Sequence, residues 1–368
     1  MGEKTLLILG GYGGTGRILS RLLLKETDAR LIIAGRTIEK AEELADKLNR
    51  DFPGGRASAR FADAADRRSL DYAFKGTHMV IVASTTTDYV AQVAAAALDA
   101  NIDYLDYHYP QKIVPVLNGL APEIEKKGRC FITQAGFHPG LPSVFVRYGV
   151  KNFDQYDKAL IAMTMNAKFE KTESLYELFD DIADWEAYIY TNGSWEKATY
   201  NDARKFNFGQ GFGIKKCVPI QMEEMRPLPS MLGLKETGVY VSGFNWFIDY
   251  MVLPLAMILF KIKRGFGRKL ITSLIVRSSA VFSSKNRGVV FLLEAEGKKH
   301  NKDVKVRVEA RYNDPYKFTA IPIVACLKQY FDGSINKPGL WMMGHLADPD
   351  LLLKDMKRMG VKITLKHN

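Results

Sequence analysis

Short, uninterrupted apolar runs alternate with amphipathic stretches over the first 140 residues. Thr5 to Leu9, Leu31 to Ala34, Ser58 to Ala62, Met79 to Ala83, Ile102 to Asp106 and Arg129 to Gln134 read as strands. Ile18 to Leu24, Ile38 to Asn49, Ser69 to Phe74 and Val114 to Lys127 read as helices. So does an alanine-rich stretch that Asp88 caps and that ends near Ala100. Strands and helices alternating at this spacing predict a parallel, doubly wound sheet. Ligands of such sheets sit beyond the C-terminal ends of the strands. Those ends are Asp63-Ala64, Ser84-Thr85-Thr86, Asp106-Tyr107-His108 and Gln134 to Pro142.

Near residue 150 the pattern changes. Lys158 to Phe169 is long and strand-like, and Ser174 to Ala187 is helical. Tyr188 to Thr199 forms a hairpin around Asn192-Gly193. Lys215 to Met225 and Gly238 to Val241 are further strands. Val289 to Glu296 and Val304 to Tyr312 make a second hairpin, and helices cover Thr319 to Phe331 and Asp350 to Met359. This is an α+β domain with a mixed, antiparallel-leaning sheet. The fold class is therefore α/β: an N-terminal Rossmann-type parallel sheet followed by a C-terminal α+β domain.

The turn after the first strand adds chemistry. Gly11-x-Gly13-x-x-Gly16 lies between a strand and a helix, with a second strand at the distance a dinucleotide-binding unit requires. The first glycine turns the chain, the middle one lets backbone approach a pyrophosphate, and the last brings helix and strand together. Gly11, Tyr12, Gly13, Gly14, Thr15 and Gly16 are thus the phosphate-facing candidates, with Arg17 adding positive potential. About 20 residues past such a turn, an NAD site places a carboxylate on the ribose. Here the second strand ends in Gly35-Arg36-Thr37. Nothing there repels a 2′-phosphate and a guanidinium is at hand to grip one, so the expected cofactor is NADP(H). Asp63 and Ala64 are expected near the adenine, with a turn-capping role for Asp63 as the alternative. Ser84, Thr85 and Thr86 are expected beside the bridge between adenosine and nicotinamide, with ordinary loop residues as the alternative.

At 368 residues, 47% hydrophobic and 25% charged, the chain has the size and composition of a two-domain globular protein. Cys130, Cys217 and Cys326 are far apart and carry no metal spacing, which fits reduced thiols, a cytoplasmic setting and no metal site. The chain enters a strand at once, so no signal peptide is expected. The net charge of +11 is spread over helices and hairpins without a nucleic-acid motif, so no nucleic-acid partner is expected.

Phe244 to Phe260 is almost wholly apolar, and Lys261, Lys263, Arg264, Arg268 and Lys269 follow. A span needs about 20 apolar residues, and Asp249 and Pro254 interrupt this one. Three readings stay open: a helix buried between subunits, a helix lying on an anionic membrane surface, or a wall of an apolar substrate pocket.

Together these segments resemble the saccharopine dehydrogenase-like oxidoreductases. The resemblance rests on Leu9 to Arg17, on Ala34-Gly35-Arg36, on Ile102 to Asp106 and on Gln134 to Pro142. It extends to Gly339 to Met343 with Asp348-Pro349-Asp350. It implies an NADP-binding domain over 1–142, an α+β substrate and dimerisation domain over 143–332 holding the apolar helix 244–260, and a tail over 333–368 that packs back on the first domain. It also implies a homodimer. The activity implied is hydride transfer to or from an imine, a carbonyl or an activated C=C of a small or lipid-like molecule. The family's Gly-x-Asp-Pro-Gly element here reads Gly136-Phe137-His138-Pro139-Gly140, which puts Gly136 beside the cofactor and His138 where the family has Asp. That change argues against saccharopine itself.

Hydride chemistry needs orientation, a proton and exclusion of water. His138, His108, Asp106 and Tyr107, all at strand ends, are the catalytic candidates. His108 has a second reading as a solvated loop residue and His138 as a helix cap; His138 is preferred because it stands at the cofactor-facing turn. An NADPH-binding sensor or scaffold without turnover, and a reductase working at a membrane surface, are the alternative functions.

Overall fold

The computed structural model describes residues 4–168, 175, 186–263, 266–282 and 287–367. It divides into two compact units. The first holds residues up to Val144 together with Tyr316–Met359, and the second holds Phe145–Pro315 with the segment from Gly360 onward.

In the first unit, β1 (Thr5–Leu9), β2 (Arg30–Gly35), β3 (Ala57–Phe61), β4 (Met79–Val82), β5 (Asp103–Asp106) and β6 (Cys130–Thr133) form a parallel sheet in the order 6-5-4-1-2-3. The connecting helices are α1 (Gly14–Glu26), α2 (Ile38–Asp51), α3 (Arg67–Ala73), α4 (Val90–Asp99), α5 (Ile113–Asn118) and α6 (Ala121–Lys126). The central strands are covered on both faces, so every residue of β4 and all but the first of β1 are buried. In α2, Ala41, Leu44, Ala45 and Leu48 make the buried stripe at helical spacing.

Two local expectations are corrected. The helix read over Val114–Lys127 is two helices, because Gly119 closes the first turn onto Pro115 and Pro122 opens the next. Asp88 does not cap α4. It lies in a single 3-10 turn, 85% exposed at its side chain, opposite Lys112.

The second unit opens within α7 (Leu141–Gly149). Its strands are β7 (Gln155–Asn166), β8 (Tyr188–Thr191), β9 (Ser194–Lys197), β10 (Arg204–Asn207) and β11 (Ile214–Ile220), then β12 (Glu236–Ser242), β13 (Gly288–Lys299) and β14 (Lys302–Tyr312). Helices α8 (Leu228–Leu232), α9 (Leu253–Ile262) and α10 (Arg268–Val281) complete it before α11 (Pro315–Phe331) returns the chain to the first unit. The sheet is mixed: β12 runs parallel to β7, while the long pairings of β7, β13 and β14 are antiparallel. Asn192 and Gly193 both take positive φ in the β8–β9 turn, as a two-residue hairpin requires. A π-helical turn, Ile248–Val252, runs directly into α9, and Pro254 stands in the first turn after the join, so the helix is not broken there. The helix read over Ser174–Ala187 and the end of the strand at Phe169 fall mostly outside the described residues. The side chains of Lys261 and Arg264 fall outside them as well.

The tail divides between the units. β15 (Gly339–Met342) extends the first sheet in parallel beyond β6, followed by α12 (Met343–Leu346) and α13 (Pro349–Arg358). The last strand, β16 (Lys362–His367), instead pairs antiparallel with β14 in the second sheet. The expectation that all of 333–368 returns to the first domain is thus corrected at its end: β16 finds a free sheet edge on β14. Helix α11 belongs to the first unit from Tyr316 on, not to the second. It is tied there by Tyr330, whose hydroxyl donates to the Asp103 carboxylate on β5.

Candidate active site

The turn between β1 and α1 is knit by its own backbone. Gly10 N–H donates to Ala34 O at 2.7 Å and Gly13 N–H to Gly10 O at 2.9 Å. Gly10 has φ +83°, and a Cβ there would stand 2.7 Å from the Ser84 side chain. A Cβ on Gly16 would strike the Gly10 carbonyl. Helix α1 starts at Gly14 with no side-chain cap and no acidic residue in its first turn. Its leading amides therefore form a cradle of donors suited to an anion, and exposed Arg17 stands on the same turn. These residues fit a dinucleotide pyrophosphate.

At the end of β2, Tyr12 covers Gly35. A Cβ on Gly35 would lie 2.6 Å from the Tyr12 ring, and the Tyr12 hydroxyl accepts the Thr37 N–H at 3.0 Å. A carboxylate side chain has no room at position 35, and Arg36 beside it is exposed. The residues present thus fit a 2′-phosphate better than a bare ribose.

At the ends of β3 and β4 the expected contacts are loops built by local bonds. The Asp63 carboxylate accepts the Ala65 N–H at 3.0 Å, the turn-forming alternative foreseen for it. Ala64 is buried, and its carbonyl accepts from Gln92. The hydroxyls of Ser84 and Thr86 lie 3.0 Å apart, and Thr85 between them is exposed.

The ends of β5 and β6 carry the groups of chemical interest. Asp106 is fully buried, and its Oδ1 accepts from His108 N–H at 3.1 Å, Thr133 Oγ1 at 3.0 Å and Gln134 N–H at 3.3 Å. Its Oδ2 is buried without a hydrogen-bond partner, as are the Tyr104 hydroxyl, His108 Nε2, Gln134 Oε1 and His138 Nε2; the Tyr104 phenol, raised well above its ordinary range by burial and by the Asp106 charge, is a donor close to that carboxylate. Burial holds the His108 imidazole below its ordinary pKa, with the Asp106 charge opposing. Burial alone lowers His138 to about 3. Both rings are neutral near pH 7. His108 is 6% exposed, so the solvated-loop alternative for it is set aside. His138 stacks between Tyr109 and Phe137, at ring separations of 5.8 and 6.0 Å. Tyr107 reaches Ala83 O at 3.4 Å; burial pushes its phenol above the ordinary range, with the Thr15 side chain opposing. The Gly136 N–H donates to Pro139 O at 3.0 Å within the tight turn that carries His138.

Two residues here were not given a role from the sequence, although Gln134 opens one of the strand ends singled out there. Gln134 is buried with φ +55°, and its amide donates to Gln111 Oε1 at 2.9 Å. Tyr316, at the start of α11, comes within 4.0 Å of where a Gly14 Cβ would stand. No spacing rule marks either one. A left-handed non-glycine residue at a strand end becomes visible only once the backbone is in place.

Residues 6–132 match the family model of the saccharopine dehydrogenase NADP binding domain. Over its whole length the chain is similar to the carboxynorspermidine synthase of Vibrio alginolyticus, at 23% identity over 95% of this chain and 94% of that protein. The carboxynorspermidine synthase of Vibrio cholerae is similar to the same degree and extent. Apo saccharopine dehydrogenase (L-Glu forming) from Saccharomyces cerevisiae shares the fold, with a TM-score of 0.74 over 99% of this chain and all of that one, at 15% identity. With a glycine cradle, a glycine closed off by Tyr12 where an NAD site has its acid, Arg36 beside it, and the matching NADP-binding domain, the chain is an NADP(H)-dependent oxidoreductase similar to the saccharopine dehydrogenase-like proteins.

Proposed function

We propose that this enzyme reduces a carbon–nitrogen double bond formed between an amine and a carbonyl compound. The observation that carries the reading is the unpartnered, fully buried Asp106 Oδ2 at the end of β5. Beside it in the chain or on the neighbouring strand end are His108 Nε2, Gln134 Oε1 and His138 Nε2, likewise buried and unpartnered. Apart from the Tyr104 hydroxyl, a donor beside Asp106, a carboxylate, an amide oxygen and two neutral imidazoles make the set rich in acceptors. A protonated imine brings a positive charge and an N–H donor, which such a set complements. A ketone or an enoyl group builds negative charge on oxygen during reduction and calls for donors instead.

Bound NADPH supplies the hydride. Asp106 then holds the positive nitrogen through its free oxygen. The neutral ring nitrogens of His138 and His108 accept hydrogen bonds from the substrate's N–H and orient it; burial leaves them too weakly basic to keep its proton, which leaves with the water lost as the imine forms. The aromatic faces of Tyr109 and Phe137 about His138 exclude water. The carboxynorspermidine synthases point to an amine-bearing substrate of that kind as the first to try.

The test is NADPH oxidation with amines and amino acids, each alone and paired with aldehydes, beside simple ketones and enoyl compounds. Turnover is expected only where amine and aldehyde are both present. Asp106→Asn is expected to lower kcat by about 100-fold or more, the order lost with a preorganised electrostatic group, with NADPH affinity within twofold. Reduction of a ketone or enoyl compound alone would overturn the reading. Tight NADPH binding with no turnover across the panel would support the sensor in its place.

A further inference from the structure

The segment from Phe244 to Phe282 has more apolar surface than its fold consumes. Its inner side is a small core: Ile248, Val252 and Ala256 pack with Ile271 and Ile275 of α10. Ten of the eighteen large hydrophobic side chains exposed among the described residues lie in this one segment. Ile262 is 71% exposed, Tyr250 77%, Ile258 60% and Trp246 57%. Met251, Leu255, Ile258 and Ile262 recur at spacings of four, three and four, so they form one stripe along the helix, next to the buried one. Trp246 and Phe282 join the stripe to the end of α10, with ring centroids 5.2 Å apart. From Tyr250 to Phe260 there is no charged residue at all. A helix on a water-facing surface is expected to turn a polar face outward, and this one does not.

Charge decides what covers it. Between Phe244 and Phe282 the sequence has six basic residues and one acidic. The acid, Asp249, is turned inward, accepting the Phe244 N–H at 2.8 Å. Lys263, next in sequence to the last residue of the stripe, is exposed, as are Lys269 and Arg277 on α10, the helix that packs against the buried side of this segment. A symmetric pairing of two copies through this face would bring like charges together at its rim. A negatively charged surface with an apolar interior matches both features at once. No helix among the described residues is long and apolar enough to cross a bilayer.

We propose that this face is a monotopic docking surface for an anionic lipid bilayer. The stripe enters the acyl boundary, Trp246 and Tyr250 sit at headgroup level, and the lysines meet the lipid phosphates. Neither apolar area nor charge alone holds a protein there; the two signals together do.

The test uses the whole protein and two kinds of vesicle, phosphatidylcholine alone and phosphatidylcholine with phosphatidylserine. Cosedimentation is expected to be at least tenfold stronger with the anionic vesicles and to weaken as salt rises. Lys263→Glu with Lys269→Glu is expected to reduce it by more than tenfold, at about fivefold for each lysine lost near the surface. Ile258→Glu with Ile262→Glu should abolish it, while circular dichroism and NADPH titration stay unchanged. Trp246 emission should shift to the blue on anionic vesicles, a change absent in Trp246→Phe. Equal partition onto neutral and anionic vesicles, or none onto either, overturns the proposal for the wild-type protein whatever the variants do. A dimer that Ile258→Glu dissociates, with no vesicle binding by the wild type, assigns the face to a second copy instead.

Discussion

Tyr12 lies across Gly35: its ring occupies the space a side chain at position 35 would need, and its hydroxyl takes the Thr37 N–H at 3.0 Å. One aromatic residue of the glycine turn thereby closes the site where an NAD-binding chain carries its acid. Restoring that acid should not restore NAD. Gly35→Asp is expected to displace the ring, costing about 1–3 kcal/mol of stability as overpacking does, and to weaken NADPH without strengthening NADH. Denaturant titration and fluorescence titration with both nucleotides check this. A tighter NADH complex would show that Tyr12 yields easily.

Arg36 stands next to that closed position, exposed. If it grips the 2′-phosphate, Arg36→Ala removes a charge-assisted contact of about 1.5–3 kcal/mol, or roughly 10- to 100-fold in NADPH affinity. NADH, which lacks the phosphate, should bind the variant as it binds the parent. Arg36→Lys should recover only part of the loss, because a lysine cannot offer the planar fork. Equal losses for both nucleotides would mean that the arginine serves the fold or the pyrophosphate.

Asp106 has one satisfied and one unpartnered oxygen, and substitutions separate what each does. Oδ1 satisfies three donors, two of them backbone N–H groups. Asp106→Ala orphans all three and is expected to cost at least 3 kcal/mol, at about 1–3 kcal/mol for each buried group left unpaired. Asp106→Asn keeps an acceptor where Oδ1 stands and should cost no more than about 1–2 kcal/mol, while removing the carboxylate charge that the proposed reaction sets against the substrate nitrogen. Thermal melts beside kcat and KM distinguish the two. A full loss of stability in the asparagine variant would make Asp106 a structural residue alone.

The parallel sheet and the glycine turn were legible because both are local: apolar runs buried on two faces, such as Met79 to Val82, and a turn whose spacing follows from the geometry of pyrophosphate. The hairpin at Asn192-Gly193 was legible for the same reason. What escaped depends on distant partners. Leu340 and Trp341 are only half-buried and give little strand signal until Phe131 and Ile132 offer them an edge. Lys362 to His367 alternates too weakly to choose between two sheets, and β14 decides it. At the candidate site the residue types were readable and their states were not. Neither histidine's environment could be read from its neighbours in sequence. The burial that neutralises His108 and His138 comes from the packing of loops, and so does the left-handed backbone of Gln134.

The buried imidazole of His138 ties stability to acid in a definite direction. Its pKa is about 3 in the folded chain, against about 6.5 for a free imidazole once unfolded. Between those values the unfolded chain binds the extra proton and the folded chain does not. Stability therefore rises with pH across this window, is fully present above pH 6.5 or so, and drains away as pH falls toward 3. The limiting slope for one such group is about 1.4 kcal/mol per pH unit. His108, lowered for the same reason, adds in the same sense. Denaturant midpoints followed from pH 7 to pH 4 should fall in the parent, and fall less steeply in His138→Gln, which fills similar space without titrating. A parallel course for parent and variant would show that the imidazole gains a proton in place, by loop opening, before the rest of the chain unfolds. The same neutrality bears on the chemistry. An imidazole that stays neutral keeps its lone pair as a hydrogen-bond acceptor for a substrate N–H, so its contribution to kcat/KM for an amine is expected to stay level down to about pH 5 wherever the fold persists. A drop near pH 6.5 in parent alone would place an ordinary, solvated histidine at the reacting nitrogen.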